Sequence, residues 1–337
     1  MIDVLVAGGG PAGLATALHA TAAGLEAVVV EPRAAPVDKA CGEGIMPSGL
    51  QALAGLGVDV GGSLLSGIRY LDARHRVQVR FRDGAGRGVR RTALHEALTR
   101  RAVERGVRIV EGKVEEVRQY ADSVTAGGLR ARWLVAADGL HSPLRRRLGL
   151  EVTDRRPRRY GLRRHYRVAP WTDFVEVHWS VGGEAYVTPV GDDLVGVAVL
   201  STARRGFDAH LAHFPELAAL LDGPPVTSVR GAGPLRQRAR RRTAGRVLLV
   251  GDAAGYTDAL TGEGVALALA TSAAAVRCLR AGRPQAYEAA WRRLSLRHRV
   301  LTEGLVRISG NPATARLVVP AAARMPSVFA GAVHALQ

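Results

Sequence analysis

The chain has 337 residues, of which 47% are apolar, a formal net charge of +17 and two cysteines, Cys41 and Cys278. That length and apolar content exclude a disordered chain and a small disulfide-built scaffold, leaving one large domain or two interleaved ones. The charge rests on arginine, since Lys39 and Lys113 are the only lysines, and the basic clusters at 145–147, 154–167 and 236–242 lack any zinc finger, basic zipper or aromatic-rich RNA motif, so no nucleic-acid partner is expected.

Along the chain, 2–9 is a short β-branched run, 14–23 is alanine-rich and helix-like, and 26–32 is a second apolar run, which opens the chain as a strand–helix–strand unit. The uncharged stretch 4–25 is long enough to cross a bilayer, but its "GGGPAG" would break a spanning helix and expose backbone to lipid. Short alternating runs follow over 68–81, and 90–106 carries Leu94, Leu98 and Val103 before a terminal glycine, as a helix with a stop signal. Strand-like runs over 107–139 add sheet to the opening unit. From 160 to 200, Trp, Tyr, Val and Thr in runs broken by "AP", "GG" and "GDD" predict antiparallel strands and the substrate-binding part. "GRVLLVGDAAG", 245–255, returns to a buried parallel-type strand, and 265–280 is a long helix of small residues. The stretch 304–337 reads as proline-broken helices with apolar faces, for which packing on the body and docking on a membrane are both open.

Gly8, Gly10 and Gly13 in "VAGGGPAG" fall between the first strand and the helix, with Glu31 at the end of the next strand. Glycines keep such a turn tight and let backbone approach a pyrophosphate, the helix N-terminus favours the negative charge, and the acid accepts hydrogen bonds from ribose hydroxyls. A dinucleotide is therefore expected here. Two further signatures follow, "LVAADGLHSPLRRRLG" at 134–149 and "RVLLVGDAAGYTDALTGEGVALALA" at 246–270. With all three in this order, residues 1–300 resemble the glutathione-reductase-type FAD-binding fold, in the branch that holds flavin-dependent aromatic hydroxylases and geranylgeranyl reductases.

The resemblance implies an α/β fold: a discontinuous Rossmann-like FAD-binding domain at 1–65, 90–155 and 243–300, an interleaved antiparallel β-sheet substrate domain at 66–89 and 156–242, and a C-terminal helical segment at 301–337. The cofactor set it implies is Gly8, Gly10, Pro11, Ala12, Gly13, Glu31, Pro32, Arg33, Cys41, Gly42, Arg91, Val114, Asp138, Gly139, Gly251, Asp252, Gly262, Gly264 and Val265. Asp138 and Gly139 belong to the motif that supports the pyrophosphate and the approach of NAD(P)H, with Ser142 and Arg145 at its later positions. Asp252 would bond the ribityl chain, and a short acid at a strand end suits a polyol in its own right. Gly262, Glu263 and Gly264 precede a helix whose free N–H groups would stabilise negative charge on reduced flavin; alternatively Glu263 is a plain helix N-terminal acid. Arg91 matches a cofactor-contacting position or is a surface arginine. "KACGEGIMPSG", 39–49, falls in the segment that crosses beneath the flavin, so Cys41, Gly42, Glu43 and Gly44 would line its pocket, with Cys41 shaping that pocket or joining the chemistry. No metal site is implied.

"CGEG" and "GDAAG" with "TGEG" are similar to the geranylgeranyl reductase branch, yet Glu184, Tyr186 and Thr188 in "EAYVTPVGDDLVG" stand where that branch carries the aromatic residues that grip a prenyl chain. The sequence expectation is therefore an FAD-dependent monooxygenase that hydroxylates an aromatic or phenolic, natural-product-type substrate with NAD(P)H and O2. The alternative is a reductase of carbon–carbon double bonds in a lipophilic substrate. Cys41, Glu43, His165 and Tyr186 are the catalytic candidates. His165 and His178 either polarise a phenol or are structural or exposed, on a sheet that also carries Tyr160, Arg163, Tyr166 and Trp179. A reducing cytoplasm is the expected compartment, and the arginine clusters read as solvated faces or as contacts with an anionic membrane surface.

Overall fold

A computed structural model describes residues 1–336. The opening unit forms β1 (Ile2–Ala7), α1 (Pro11–Ala22) and β2 (Ala27–Glu31), and every residue of β2 is buried, as expected for a parallel strand covered on both faces. Pro11 starts α1 at the position where its missing N–H is harmless. The chain continues through β3 (Gly67–Leu71), β4 (Arg76–Arg80), α2 (Arg91–Glu104), β5 (Arg108–Glu111) and β6 (Leu129–Ala136). Five more strands follow, β7 (Tyr160–Arg167), β8 (Phe174–Ser180), β9 (Gly183–Gly191), β10 (Leu194–Ser201) and β11 (Arg230–Ala232). Then come β12 (Val247–Leu249), α3 (Gly264–Arg280), α4 (Ala286–Ser309), α5 (Val318–Arg324) and α6 (Pro326–His334).

Two large sheets result. In the first, β12, β6, β1, β2 and β5 pair in parallel in that order, with α1 and α3 packed on each other through their small residues. Ser272 of α3 donates to the carbonyl of Ala12 at 2.9 Å, which fixes that close approach. The second sheet has the order β11-β7-β10-β9-β8-β3-β4, antiparallel except where β8 meets β3. A small sheet of Gly44–Ile45, Gly86–Gly88 and Ser63–Leu65 lies at the loop that follows β2.

Both expected layers are present: a parallel sheet with helices and an antiparallel sheet built from 67–80, 160–201 and 230–232. The C-terminal stretch is helical and broken at prolines, and α5 and α6 pack against β4. Gln337, the last residue of the expected C-terminal segment, lies outside the described residues.

Candidate active site

The two sheets bound one cavity of about 880 Å³. Its first wall is the turn from β1 into α1. A side-chain carbon at Gly13 would collide with the carbonyl oxygen of Gly8, and Gly8 itself has a φ of 106°, so only glycine serves at either place. Gly10 differs: an added carbon there would find nothing nearer than Arg91 Nη2 at 4.0 Å, across open space. Glu31 Oε2 accepts from the amide of Gly9 at 2.7 Å, and Arg33 Nε reaches Oε1 at 2.6 Å. Burial pushes the Glu31 carboxyl upward, but these bonds and the Arg33 charge hold it below the usual range.

Arg91, the first residue of α2, is buried and its Nη1 has no hydrogen-bond partner. Burial lowers its pKa. Asp138 accepts from the amide of Leu144 at 3.0 Å through one oxygen, while its other oxygen is buried without a partner. Asp252 faces the cavity with no hydrogen bond to its carboxylate among the described residues; burial raises its pKa, against the pull of Lys39, Arg91 and Arg145. The helix α3 begins at Gly264, and Gly264 and Val265 line the cavity at the end where a helix leaves N–H groups unsatisfied. A glycine turn, an orphaned arginine nitrogen, an unengaged acid and a helix N-terminus around one space are the features an FAD needs. The residues therefore fit this cofactor.

Every residue of the expected cofactor set except Gly13 lines this cavity, and Gly13 acts inside the turn instead. Ser142 and Arg145 do not face it. Arg145 is fully buried and donates to the carbonyls of Asp252 and Ala253 at 3.3 and 3.2 Å, so it braces the third motif from behind. Glu263 turns toward α4, where its carboxylate meets His298 Nδ1 at 2.8 Å.

The loop 39–44 forms the floor between the sheets. Glu43 has a φ of 62°, the only positive φ outside glycine among the described residues, a conformation that costs about 1–3 kcal/mol unless its surroundings enforce it. They do so at four atoms. Its amide donates to Cys41 Sγ at 3.4 Å and its carbonyl accepts from Val89 at 2.8 Å. Its carboxylate accepts from the Arg91 amide at 2.8 Å and from His165 Nε2 at 2.6 Å. Arg163 Nη1 can only donate, and it lies 3.1 Å from His165 Nδ1, so that nitrogen is the acceptor and Nε2 carries the proton.

This corrects the role expected of His165. The ring is fully buried behind the loop with both nitrogens engaged, outside the cavity lining, so it cannot polarise a phenol. His178 is likewise turned away, 3.3 Å from Glu176, and Tyr166 and Trp179 pack in apolar cores. Of the aromatic and basic strand residues, Tyr160, Arg163 and Tyr186 reach the cavity.

Glu184, Tyr186 and Thr188 alternate along β9 and so share one face. Each ties the second sheet to a wall of the cavity. Glu184 joins Arg159 at 2.8 Å, which also holds Asp258 at 3.0 Å; the Tyr186 hydroxyl donates to the Leu260 carbonyl at 3.0 Å; and Thr188 donates to the Gly42 carbonyl at 2.8 Å. Burial and then the Glu184 charge raise the Tyr186 phenol well above its ordinary range. Beyond this face the lining has an apolar wall of Ile68, Tyr70, Val175, Val177, Leu200, Leu235 and Leu260, closed by Val333 of α6 and by Leu336, while Arg163, Arg204, Arg205 and His210 also reach the cavity. Sequence reasoning missed Lys39, Tyr70 and Tyr256 on this lining, although Lys39 immediately precedes the "ACGEG" loop and Tyr256 sits inside the third motif.

A family model described as "FAD binding domain" matches residues 1–183. The menaquinone reductase of Mycobacterium tuberculosis is 30% identical over 316 residues, covering 82% of this chain and 76% of that protein. Digeranylgeranylglycerophospholipid reductase 1 of Methanopyrus kandleri is 30% identical over 297 residues, covering 79% of this chain and 77% of that protein. The flavin-dependent brominase Bmp2 superposes with a TM-score of 0.82 at 17% identity, covering 99% of this chain and 93% of the brominase, a likeness of fold.

Proposed function

The chain belongs to the FAD-binding-domain family and is an FAD-dependent oxidoreductase, and from that premise we propose that it reduces a carbon–carbon double bond in a lipophilic, isoprenoid-type small molecule. The observation that carries this reading is the apolar wall of the cavity beyond the cofactor half, from Ile68 to Leu260, with α6 as its roof. The reductases among its relatives favour the same chemistry. FAD supplies the electrons when bound, and NAD(P)H is the reductant typical of the family.

The residues then divide the work. Arg91 and the glycine turn would hold a diphosphate and offset its charge, and Glu31 would receive ribose hydroxyls. The N-terminus of α3 supplies partial positive charge where negative charge develops on the ring system. Glu43 and His165 position the floor loop rather than touch substrate. Cys41 faces the cavity, and burial followed by the nearby Glu43 charge raises its thiol, so at neutral pH it brings a proton and not a nucleophilic thiolate. Tyr186 is held protonated in the same way, although its hydrogen already serves Leu260. We assign the discontinuous first sheet to the cofactor and the second sheet to the substrate. A monooxygenase acting on a phenol is the second reading, favoured by the Tyr70, Tyr160 and Tyr186 rings on the lining.

Turnover of prenyl lipids and phenols by the holoenzyme under anaerobic conditions separates the two. Reduction of a prenyl substrate without oxygen is expected, and Cys41→Ser slows it by over tenfold, about 1.4 kcal/mol of barrier. Turnover of phenols only in air, unaffected by Cys41→Ser, would replace the proposal with the second reading.

A further inference from the structure

Residues 304–337 contain no aspartate or glutamate, but they include Arg307, Arg316 and Arg324. All three are exposed, and none is ion-paired among the described residues. Between them lie large apolar side chains in water: Ile308 is 44% exposed, Leu317 58%, Met325 50% and Val328 64%. Leu317 caps α5 and Arg324 ends it, two turns later and therefore on the same face. Arg324, Met325, Pro326, Ser327 and Val328 are exposed in succession where α5 gives way to α6. The two helical stretches, Pro312–Arg324 and Pro326–His334, meet at 100°, and no single described helix is long and apolar enough to cross a membrane.

The opposite faces of these helices are committed. Val319, Phe329 and Val333 are buried in the core of the second sheet, and the ring of Phe329 lies 4.8 Å from that of Tyr70. Val333 and Leu336 also line the cavity. One segment therefore has an inner side that roofs the site and an outer side of apolar knuckles set among arginines. Exposed Leu, Met and Val among arginines, in a stretch that itself carries no acid, are complementary to a surface that is anionic outside and apolar just beneath, as a lipid bilayer is.

We propose that the bend between α5 and α6 is a docking surface for an anionic membrane, with Leu317, Met325 and Val328 entering the headgroup boundary and Arg307, Arg316 and Arg324 on the lipid phosphates. The roof of the cavity then faces the phase in which an isoprenoid substrate dissolves. That last point rests on the lipophilic-substrate reading, whereas the surface is tested without turnover, so the failure of one is distinguishable from failure of the other.

The test is co-flotation of the FAD-loaded protein with vesicles of phosphatidylcholine alone or mixed with phosphatidylglycerol, at low and high salt. The expected result is binding to the anionic vesicles only, weakened by salt as screening shortens the reach of the arginines. Arg307→Gln/Arg316→Gln/Arg324→Gln lowers the partition about 100-fold, at about tenfold or less for each arginine. Met325→Glu/Val328→Glu also abolishes binding, with flavin content and circular dichroism unchanged in both variants. Arg146→Gln/Arg147→Gln, exposed arginines elsewhere, leaves it intact. The proposal is overturned by absence of binding at low salt, by equal binding to neutral vesicles, or by an equal loss in the Arg146/Arg147 variant. It is also overturned if the wild type is a dimer in solution that Met325→Glu/Val328→Glu makes monomeric, because the apolar knuckles would then cover a second copy of the chain.

Discussion

Arg91 and Arg159 are both buried arginines beside the cavity, yet one is left incomplete and the other is saturated. Arg91 has an unpartnered Nη1 and faces the open space at Gly10. Arg159 donates to Glu184, Asp258 and Ser309, and although burial works against its charge, the two carboxylates hold its pKa above the ordinary range. A buried polar atom without a partner is expensive, so where a fold keeps one beside a cavity, a ligand completes it. A saturated cluster instead serves as a strut between the sheets. The same contrast separates Asp252, unengaged on the cavity, from Glu43, whose carboxylate is fully occupied by His165 and the Arg91 amide.

Arg159→Met strands Glu184 and Asp258 in the interior. It should destabilise the protein by about 3–5 kcal/mol in urea unfolding, whether or not FAD is present. A loss near zero would mean that water reaches the cluster and that it is no strut. Gly10→Asp is the complementary change. The backbone there accepts a side chain, so the protein should fold, but a carboxylate beside Arg91 occupies the diphosphate position. FAD affinity, read by fluorescence titration, should fall at least 100-fold, about 2.7 kcal/mol; retained stoichiometric flavin would put the cradle elsewhere.

Arg91→Met removes the incomplete arginine and should have a smaller effect. FAD affinity should weaken by about 1.5 kcal/mol, somewhat over tenfold, while unfolding of the flavin-free protein is unchanged or slightly harder, because an unpaired charge has left the interior. Equal destabilisation by Arg91→Met and Arg159→Met would erase the distinction between them.

Much of the cofactor half was legible because its determinants are local. Gly8, Gly10, Gly13 and Glu31 sit on one strand–helix–strand unit, and a turn that needs positive φ or close approach writes glycine into the sequence. The second half was legible as a sheet through its alternating runs, but its partners were not. His165 meets Glu43 across 122 residues, Thr188 meets Gly42 across 146 and Arg159 meets Asp258 across 99, and no periodicity announces such pairs. His165 therefore read equally as a catalytic or a structural histidine, and its bond to Glu43 makes it the support of a loop. Glu184 and Thr188, which looked like lost prenyl-binding positions, turn out to be the bonds that hold the cavity walls.

The smallest expected effect is one of pH, in the saturated half. Burial would raise Glu176, but hydrogen bonds from His178, Trp171 and Arg69 bring it down to about 2 from an ordinary 4.5. The native carboxylate thus takes up a proton less readily than the unfolded one, so its stabilisation is complete above pH 4.5 and fades as pH falls toward 2. Urea unfolding across that window should show a shallower acid loss for Glu176→Gln than for the wild type. Identical slopes would mean that the bonds from His178, Trp171 and Arg69 do not hold Glu176 ionised in the native state.

Whether the flavin site beside the apolar wall reduces a double bond is read from the mass of the product. The holoenzyme is reduced anaerobically with dithionite, mixed with an unsaturated prenyl quinone and quenched, and a parallel sample is run with NAD(P)H in labelled O2. The product should carry two additional hydrogen atoms at a side-chain double bond in the anaerobic sample, with no label incorporated in the aerobic one. A product formed only in the presence of O2 and carrying its labelled oxygen would make the protein a monooxygenase instead.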